Sequence, residues 1–267
     1  MKRITIILSI LLLSVTPDAF AQKAGNFYLG PSVGIMDGIG LEIAMPISSS
    51  LAIRGGYSVL PEFLYKYEQS VHIPAFGNVP EGDVDFKAYP NSASGNVLLD
   101  IYPYKRGSFH FTAGVFFGNG TIASVTNTTP LDPAFEDVNL NVHENDSDDP
   151  EDLYMVKLSD NGYFHADLKR NMAIAPYLGF GTGKYGRRAS VIFDLGVMYS
   201  GGLGIYADGV NYVSGKTKSV RITSSTIGTN SSGQLVDRGW LDTVSGKDVW
   251  YFNLLPMVRL TLMFKLF

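Results

Sequence analysis

Segment after segment of this chain alternates with a period of two, and the two faces it defines differ in an unusual way. In the stretch 27–35, Phe27, Leu29, Pro31, Val33 and Ile35 share one face, opposite Tyr28, Gly30, Ser32 and Gly34. In 41–45 the pairing is Leu41, Ile43 and Met45 against Glu42 and Ala44. In 51–59 it is Leu51, Ile53, Tyr57 and Val59 against Arg54 and Ser58. The pattern returns at 96–102, 109–117, 174–180, 191–199 and 252–266, where the second face carries Asp100, His110, Asp194 and Arg259. One face is always bulky and apolar. The other is small, rich in glycine, and holds nearly all the strand charges. A soluble sheet turns its apolar face to a core and wets the other with Lys, Glu and Thr. A face of Gly, Ala and Ser with isolated ions suits the crowded interior of a closed barrel instead. The bulky face then meets lipid, as in a transmembrane β-barrel.

The connections between these segments sort by length. After a tight first turn at 37–38, they run short (47–50), long (60–90), short (103–107), long (119–170), short (182–188) and long (201–248). Alternation of this kind puts all long connections at one end of an up-and-down barrel, the arrangement of outer-membrane proteins. The expected fold is all-β: a closed antiparallel transmembrane barrel, with eight strands the simplest even solution. Stretches 203–213 and 218–226 also read as strands. They would make ten, or form a hairpin extending the last long connection.

Composition agrees. Charged residues make up 17%, aromatics 12%, and there are 29 glycines and no cysteine; soluble domains carry about 25% charged residues. With no cysteine, neither disulfides nor a lipid-modified N-terminal Cys enters the reading. The net charge of −4 and the lack of a basic block argue against a nucleic-acid partner. Lys2 and Arg3, the apolar run 4–15 and Ala19-Phe20-Ala21 read as a cleaved secretory signal over 1–21. Residues 22–267 are then a single barrel domain.

The last segment sets Phe252, Leu254, Pro256, Val258, Leu260, Leu262, Phe264 and Leu266 against Asn253, Arg259, Thr261 and Lys265, and the sequence finishes at Phe267. This resembles the closing strand of small bacterial outer-membrane β-barrel proteins, of the OmpA-membrane-domain-like or OmpW-like class. Phe267 departs from the pattern by lying on the Lys265 face. The resemblance implies an outer-membrane location, outer-membrane lipid and the barrel-assembly machinery as partners, and a monomeric barrel. Aromatic belts are expected from Tyr102, Tyr104, Phe109 and Phe267 at one boundary, and from Tyr57, Phe117, Tyr199, Trp250 and Tyr251 at the other.

Candidate sites follow from the inward face. Glu42, Arg54, Asp100, His110, Asp194 and Arg259 converge on the interior of a barrel just wide enough for side chains to fill. Buried ions must be paired, so the expected role is an interior polar network that plugs the barrel; a narrow polar path is the alternative. Asp146, Asp148, Asp149 and Glu151 in the segment 143–152 are oxygen-rich, as a calcium site would be. They lack the spacing of a calcium loop and read better as a solvated acidic loop. Ser108 and His110 share a face, but no third group to orient the histidine is evident. His72, His143 and His165 fall in predicted loops without clear partners. The stretch 179–186 lacks the spacing of a phosphate loop and reads as a turn. No cofactor is implied. The expected function is that of a structural or surface-interaction barrel and not an enzyme, with a transport barrel for a small solute and an outer-membrane lipid hydrolase as alternatives.

Overall fold

A computed structural model describes residues 26–62, 66–73, 81–105, 107–133, 139–143, 153–157, 161–186, 188–222, 227–229 and 253–266. The expected signal segment, the acidic cluster at 144–152, Trp250, Tyr251 and Phe267 lie outside them. Strands are numbered in chain order. Eight close into one antiparallel barrel: β1 (Tyr28–Gly34), β2 (Gly38–Ser48), β3 (Leu51–Leu60), β6 (Ser92–Ile101), β7 (Phe109–Gly118), β12 (Ile174–Thr182), β13 (Ala189–Tyr199) and β17 (Leu254–Lys265). Each pairs with its chain-order neighbours, and β1 meets β17 to complete the ring, with Tyr28 opposite Lys265 and Gly34 opposite Arg259. The topology is up-and-down with eight strands.

Side-chain direction follows parity all the way round. Val33, Ile35, Ile39, Leu41, Ile43, Tyr57, Phe111, Ile174, Leu178, Phe180, Val191, Leu254, Leu260 and Phe264 stand exposed on the outer wall, and their inward neighbours are buried. Leu178 is 65% exposed and Ile43 46% exposed in a segment with no polar neighbour on its face. Water would not tolerate a continuous apolar belt of this extent, whereas hydrocarbon requires one. Most barrel strands run 9 to 12 residues, and a tilted strand needs about 9–11 to cross a bilayer. Ring closure leaves no backbone edge unpaired in lipid.

The three long connections are not simple loops. They carry nine further strands, which form a second sheet beyond one end of the barrel. These are β4 (Tyr67–Ile73), β5 (Gly82–Pro90), β8 (Thr121–Asn127), β9 (Asn139–His143), β10 (Leu153–Lys157), β11 (His165–Arg170), β14 (Leu203–Asn211), β15 (Thr217–Ile222) and β16 (Ile227–Thr229). The path runs β16-β9-β10-β14-β11-β8-β5-β4, with β15 on the other edge of β14. The segments that could have made a ten-stranded barrel are therefore β14 and β15 of this sheet, paired as a hairpin from Ile205–Ile222 to Val210–Thr217.

The neighbour order β5-β8-β11-β14 repeats the order β6-β7-β12-β13 below it, because each barrel strand runs into an outer strand after a break of one to three residues. Backbone hydrogen bonds continue through the breaks, from Asn91 N–H to the Ile122 carbonyl (3.1 Å), Arg170 to Gly120 (2.9 Å) and Asn171 to Gly202 (3.0 Å). The outer sheet has its own apolar core of Leu131, Val142, Val156, Ala207, Val220 and Ile222. Lys157, Asp208 and Arg221 of the same strands are exposed.

One aromatic assignment differs from expectation. Tyr102 is 3% exposed and points into the barrel, so it is not part of a lipid-facing belt. It continues the inward face of Leu98 and Asp100. Tyr57, Tyr104, Phe109, Phe117 and Tyr199 are on the exposed wall.

Candidate functional site

The barrel interior is filled in layers. At the end bearing the short turns, Tyr28, Tyr102, Tyr185, Ile192 and Met263 pack with Ala44 and Ala52. Tyr185 comes from the β12–β13 turn and folds inward onto Tyr28, with ring centroids 5.2 Å apart. Tyr102 stacks obliquely on His110 at 5.1 Å. Toward the other end lies a second apolar layer that includes Leu98, Phe116, Tyr177, Met198, Leu255 and Met257.

Between these layers the ionic residues meet. Arg54 is fully buried. Its Nη1 donates to Asp194 Oδ2 at 2.8 Å, and its Nη2 donates to Asp100 Oδ1 at 2.9 Å and Asp194 Oδ1 at 3.1 Å. Glu42 Oε2 lies 3.5 Å from Arg54 Nη1. Arg259 donates to Glu42 and to Asp37 and stacks on the Phe116 ring 5.0 Å away. His110 Nε2 sits 2.9 Å from Asp194 Oδ1, and its Nδ1 is 3.3 Å from the Ser108 carbonyl. Thr112 donates to Asp100 at 2.9 Å, and Thr261 to Glu42 at 3.4 Å. All six residues expected in the interior network thus sit in one connected cluster spanning the barrel.

Glycines make room for it. A Cβ on Gly181 would lie 2.6 Å from His110 Nε2 and 2.8 Å from Asp194 Oδ1, and one on Gly56 would lie 2.7 Å from Glu42 Cγ. The small inward face is therefore the space the ions occupy.

Two parts of this site lie outside the alternation. Asp37 falls in a turn; by strand parity it would follow Val33 and Ile35 outward, but the β1–β2 turn swings it in to Arg259. Tyr185 falls in a turn too, and folds inward onto Tyr28. Thr112, two residues after His110, is placed on the inward face by the alternation itself.

The other expected sites resolve differently. Ser108 Oγ shares a hydrogen bond with Thr182 Oγ1 at 3.0 Å and makes none to the His110 ring. The partner of His110 is Asp194, which the sequence did not reveal. His72 and His165 are in strands β4 and β11, not loops, and both have carboxylate neighbours: Asp83 and Glu81 at 2.9 and 3.1 Å from His72, and Asp167 at 3.4 Å from His165. His143 belongs to β9. Asp100, His110 and Asp194 bring three ligand-type atoms within 4.8 Å of one another. However, Arg54 already donates to both carboxylates, and a dication there would face that guanidinium.

No family model matches this chain, and no curated protein does. Two solved structures align with it over most of their length. CarO2 of Acinetobacter baumannii is 16% identical, with 92% of this chain and 100% of that chain covered and a TM-score of 0.47. CarO of the same organism is 15% identical, with 92% and 99% covered and a TM-score of 0.42.

Proposed function

We propose that this chain is a bacterial outer-membrane barrel with a sealed interior that acts through its outer sheet at the cell surface. The observation that carries the reading is the ionic layer. Arg54, Glu42, Asp100, His110 and Asp194 are each no more than 2% exposed and tie together strands β2, β3, β6, β7 and β13 across the lumen. Opening a path would strip these groups of their partners, and buried ions without partners are costly. The tyrosine layer supports closure at the short-turn end, which is periplasmic in this orientation. The outer sheet, with a core of its own, is a structured platform at the opposite end. Outer-membrane lipid is the immediate partner of the apolar belt, and the closed ring favours a monomer. No catalytic role is assigned: Ser108 lacks the base contact a nucleophile needs.

A second reading, a narrow path for a small solute, draws on one observation. Asp37 Oδ1, Asp100 Oδ2 and both amide atoms of Asn96 are buried without a hydrogen-bond partner, so polar capacity along the lumen is left over. Single-channel recording in planar bilayers separates the two. An ion-tight barrel is expected; a steady conductance that changes in Asp100→Asn would replace the sealed reading with the path.

A further inference from the structure

Four cations stand at the short-turn end of the barrel: Lys105 in the β6–β7 turn, Lys184 and Arg188 in the β12–β13 turn, and Lys265 at the end of β17. Among the described residues, every ion pair lies in the ionic layer or beyond the outer end of the barrel, and none involves these four. The short connections 47–50, 103–107 and 182–188 contain no Asp or Glu. Every described side-chain carboxylate belongs instead to the ionic layer or to a long connection. The Lys184 ammonium donates to the Lys105 carbonyl and lies over the Tyr102 ring, 5.7 Å from its centroid. Arg188 and Lys265 are opposite each other on neighbouring strands, joined by the bond from the Lys265 N–H to the Arg188 carbonyl at 2.9 Å. Like charges placed opposite each other across a strand pair destabilise it, and an anion between them would relieve that cost.

The opposite end is arranged differently. There Lys87 is 2.7 Å from Glu62, Lys169 is 3.2 Å from Asp167, and His72 lies between Glu81 and Asp83. The depth of the four unpaired cations decides what meets them. Lys265 comes directly after Phe264, Arg188 shortly before Val191, and Lys105 between Ile101 and Phe109, all of these neighbours being exposed residues of the lipid-facing wall. A headgroup layer is about 5–8 Å deep on each side of the hydrocarbon, and a strand rises about 3.3 Å per residue. Turns this short hold their charges among the phosphates of the adjoining leaflet, with exposed Tyr104 and Leu266 beside them at the boundary. A partner farther from the bilayer would have to be met by a segment projecting past the headgroups. We infer that the short-turn end binds anionic phospholipid, the phosphate diesters of phosphatidylglycerol-type headgroups pairing with Lys105, Lys184, Arg188 and Lys265. This preference rests on the membrane barrel proposed above, and in that orientation it belongs to the periplasmic leaflet.

The test places the full chain in phosphatidylcholine bilayers and compares, by electron paramagnetic resonance, how strongly spin-labelled phosphatidylglycerol and spin-labelled phosphatidylcholine are held against the protein. A preference of about twofold or more for phosphatidylglycerol is expected at low salt, and it should shrink in about 0.5 M NaCl, where exposed charges are screened. Changing Lys105, Lys184, Arg188 and Lys265 together to Gln should remove at least half of the preference. Changing Lys87 and Lys169 of the outer sheet to Gln should leave it as it was. Heat-modifiable migration on gels checks that each variant is folded. Equal association of the two lipids with the unaltered protein, or a preference that survives the fourfold change, would overturn the inference while leaving the membrane barrel intact. A chain that restrains neither labelled lipid would sink the membrane reading and this preference with it. The two-lipid comparison needs only the unaltered protein, so a variant that fails to fold does not remove the test.

Discussion

The barrel and the outer sheet are built from consecutive pieces of the same strands, yet they obey opposite rules. In β13, Val191 and Val197 face out and Asp194 faces in. After a gap of three residues β14 begins, and there Leu203 and Ala207 face in while Asp208 faces out. The strand chemistry does not change; the solvent does. Below the break the surroundings are hydrocarbon, so apolar groups gain nothing by hiding and ions must be gathered inside. Above it the surroundings are water, and the hydrophobic effect drives Val142, Val156 and Val220 together. The breaks at Asn91, at Asn119-Gly120, and at 171–173 and 200–202 therefore mark where one rule gives way to the other.

If that contrast is right, the two regions should fail in different ways. The largest effect should come from Arg54→Met, which removes the one cation shared by the Asp100, Asp194 and Glu42 carboxylates in the barrel centre. A loss of about 3–5 kcal/mol is expected, read as a lowered urea midpoint or as protein that no longer migrates as a compact folded band. Next comes a charge on the wall. Ile43→Arg should cost about 2–4 kcal/mol near the bilayer middle, whereas Val213→Arg, at an exposed apolar residue of the β14–β15 turn, should change stability by less than about 0.5 kcal/mol. Equal effects of the two would break the comparison, since they would put both surfaces in one solvent. Smaller again, Val156→Ala should destabilise the outer sheet by about 1–2 kcal/mol through lost burial. Amide exchange should show outer strands opening while β2, β3 and β6 stay protected. Coupled opening of both regions would mean that they fold as one unit.

The smallest effect sharpens the picture at the sheet edge. The hydrogen bond that His72 donates to the Asp83 carboxylate, helped by Glu81, raises the His72 pKa above its ordinary 6.5. The charged imidazole thus favours the folded β4–β5 hairpin. That contribution is complete below the unfolded pKa and fades as pH rises through the raised folded one. Because these groups are fully exposed, the effect is modest. Amide protection factors in β4 and β5, normalised to the intrinsic exchange rate at each pH, should be higher in mildly acidic than in mildly basic buffer, and His72→Gln should remove the difference.

Much of the barrel could be read directly. The period of a strand is two, so a single alternation assigns every side chain of an element to one wall, and the assignment of Glu42, Arg54, Asp100, His110, Asp194 and Arg259 to one face needs nothing else. What joins those residues could not be read. Arg54 meets Asp194 across 140 residues and Arg259 meets Glu42 across 217, contacts that exist only once the ring closes. Asp37 escaped because a turn ends the alternation that would have placed it. Of the outer sheet the β14–β15 hairpin was legible, at 203–213 and 218–226; the rest escaped because its strands are short and mixed in pattern: β9 and β10 have five residues each, too few to separate from loop.

The amino-acid sequence by itself determined which side of each barrel strand is bulky and which is small, and hence a wall fit for lipid around a polar interior. Only the tertiary structure decided which ions share partners and that the long connections assemble into a sheet with its own core. The reason is physical: alternation is a local property of the pleated backbone. Pairing, closure and the desolvation of a charge depend on groups brought together from distant parts of the chain.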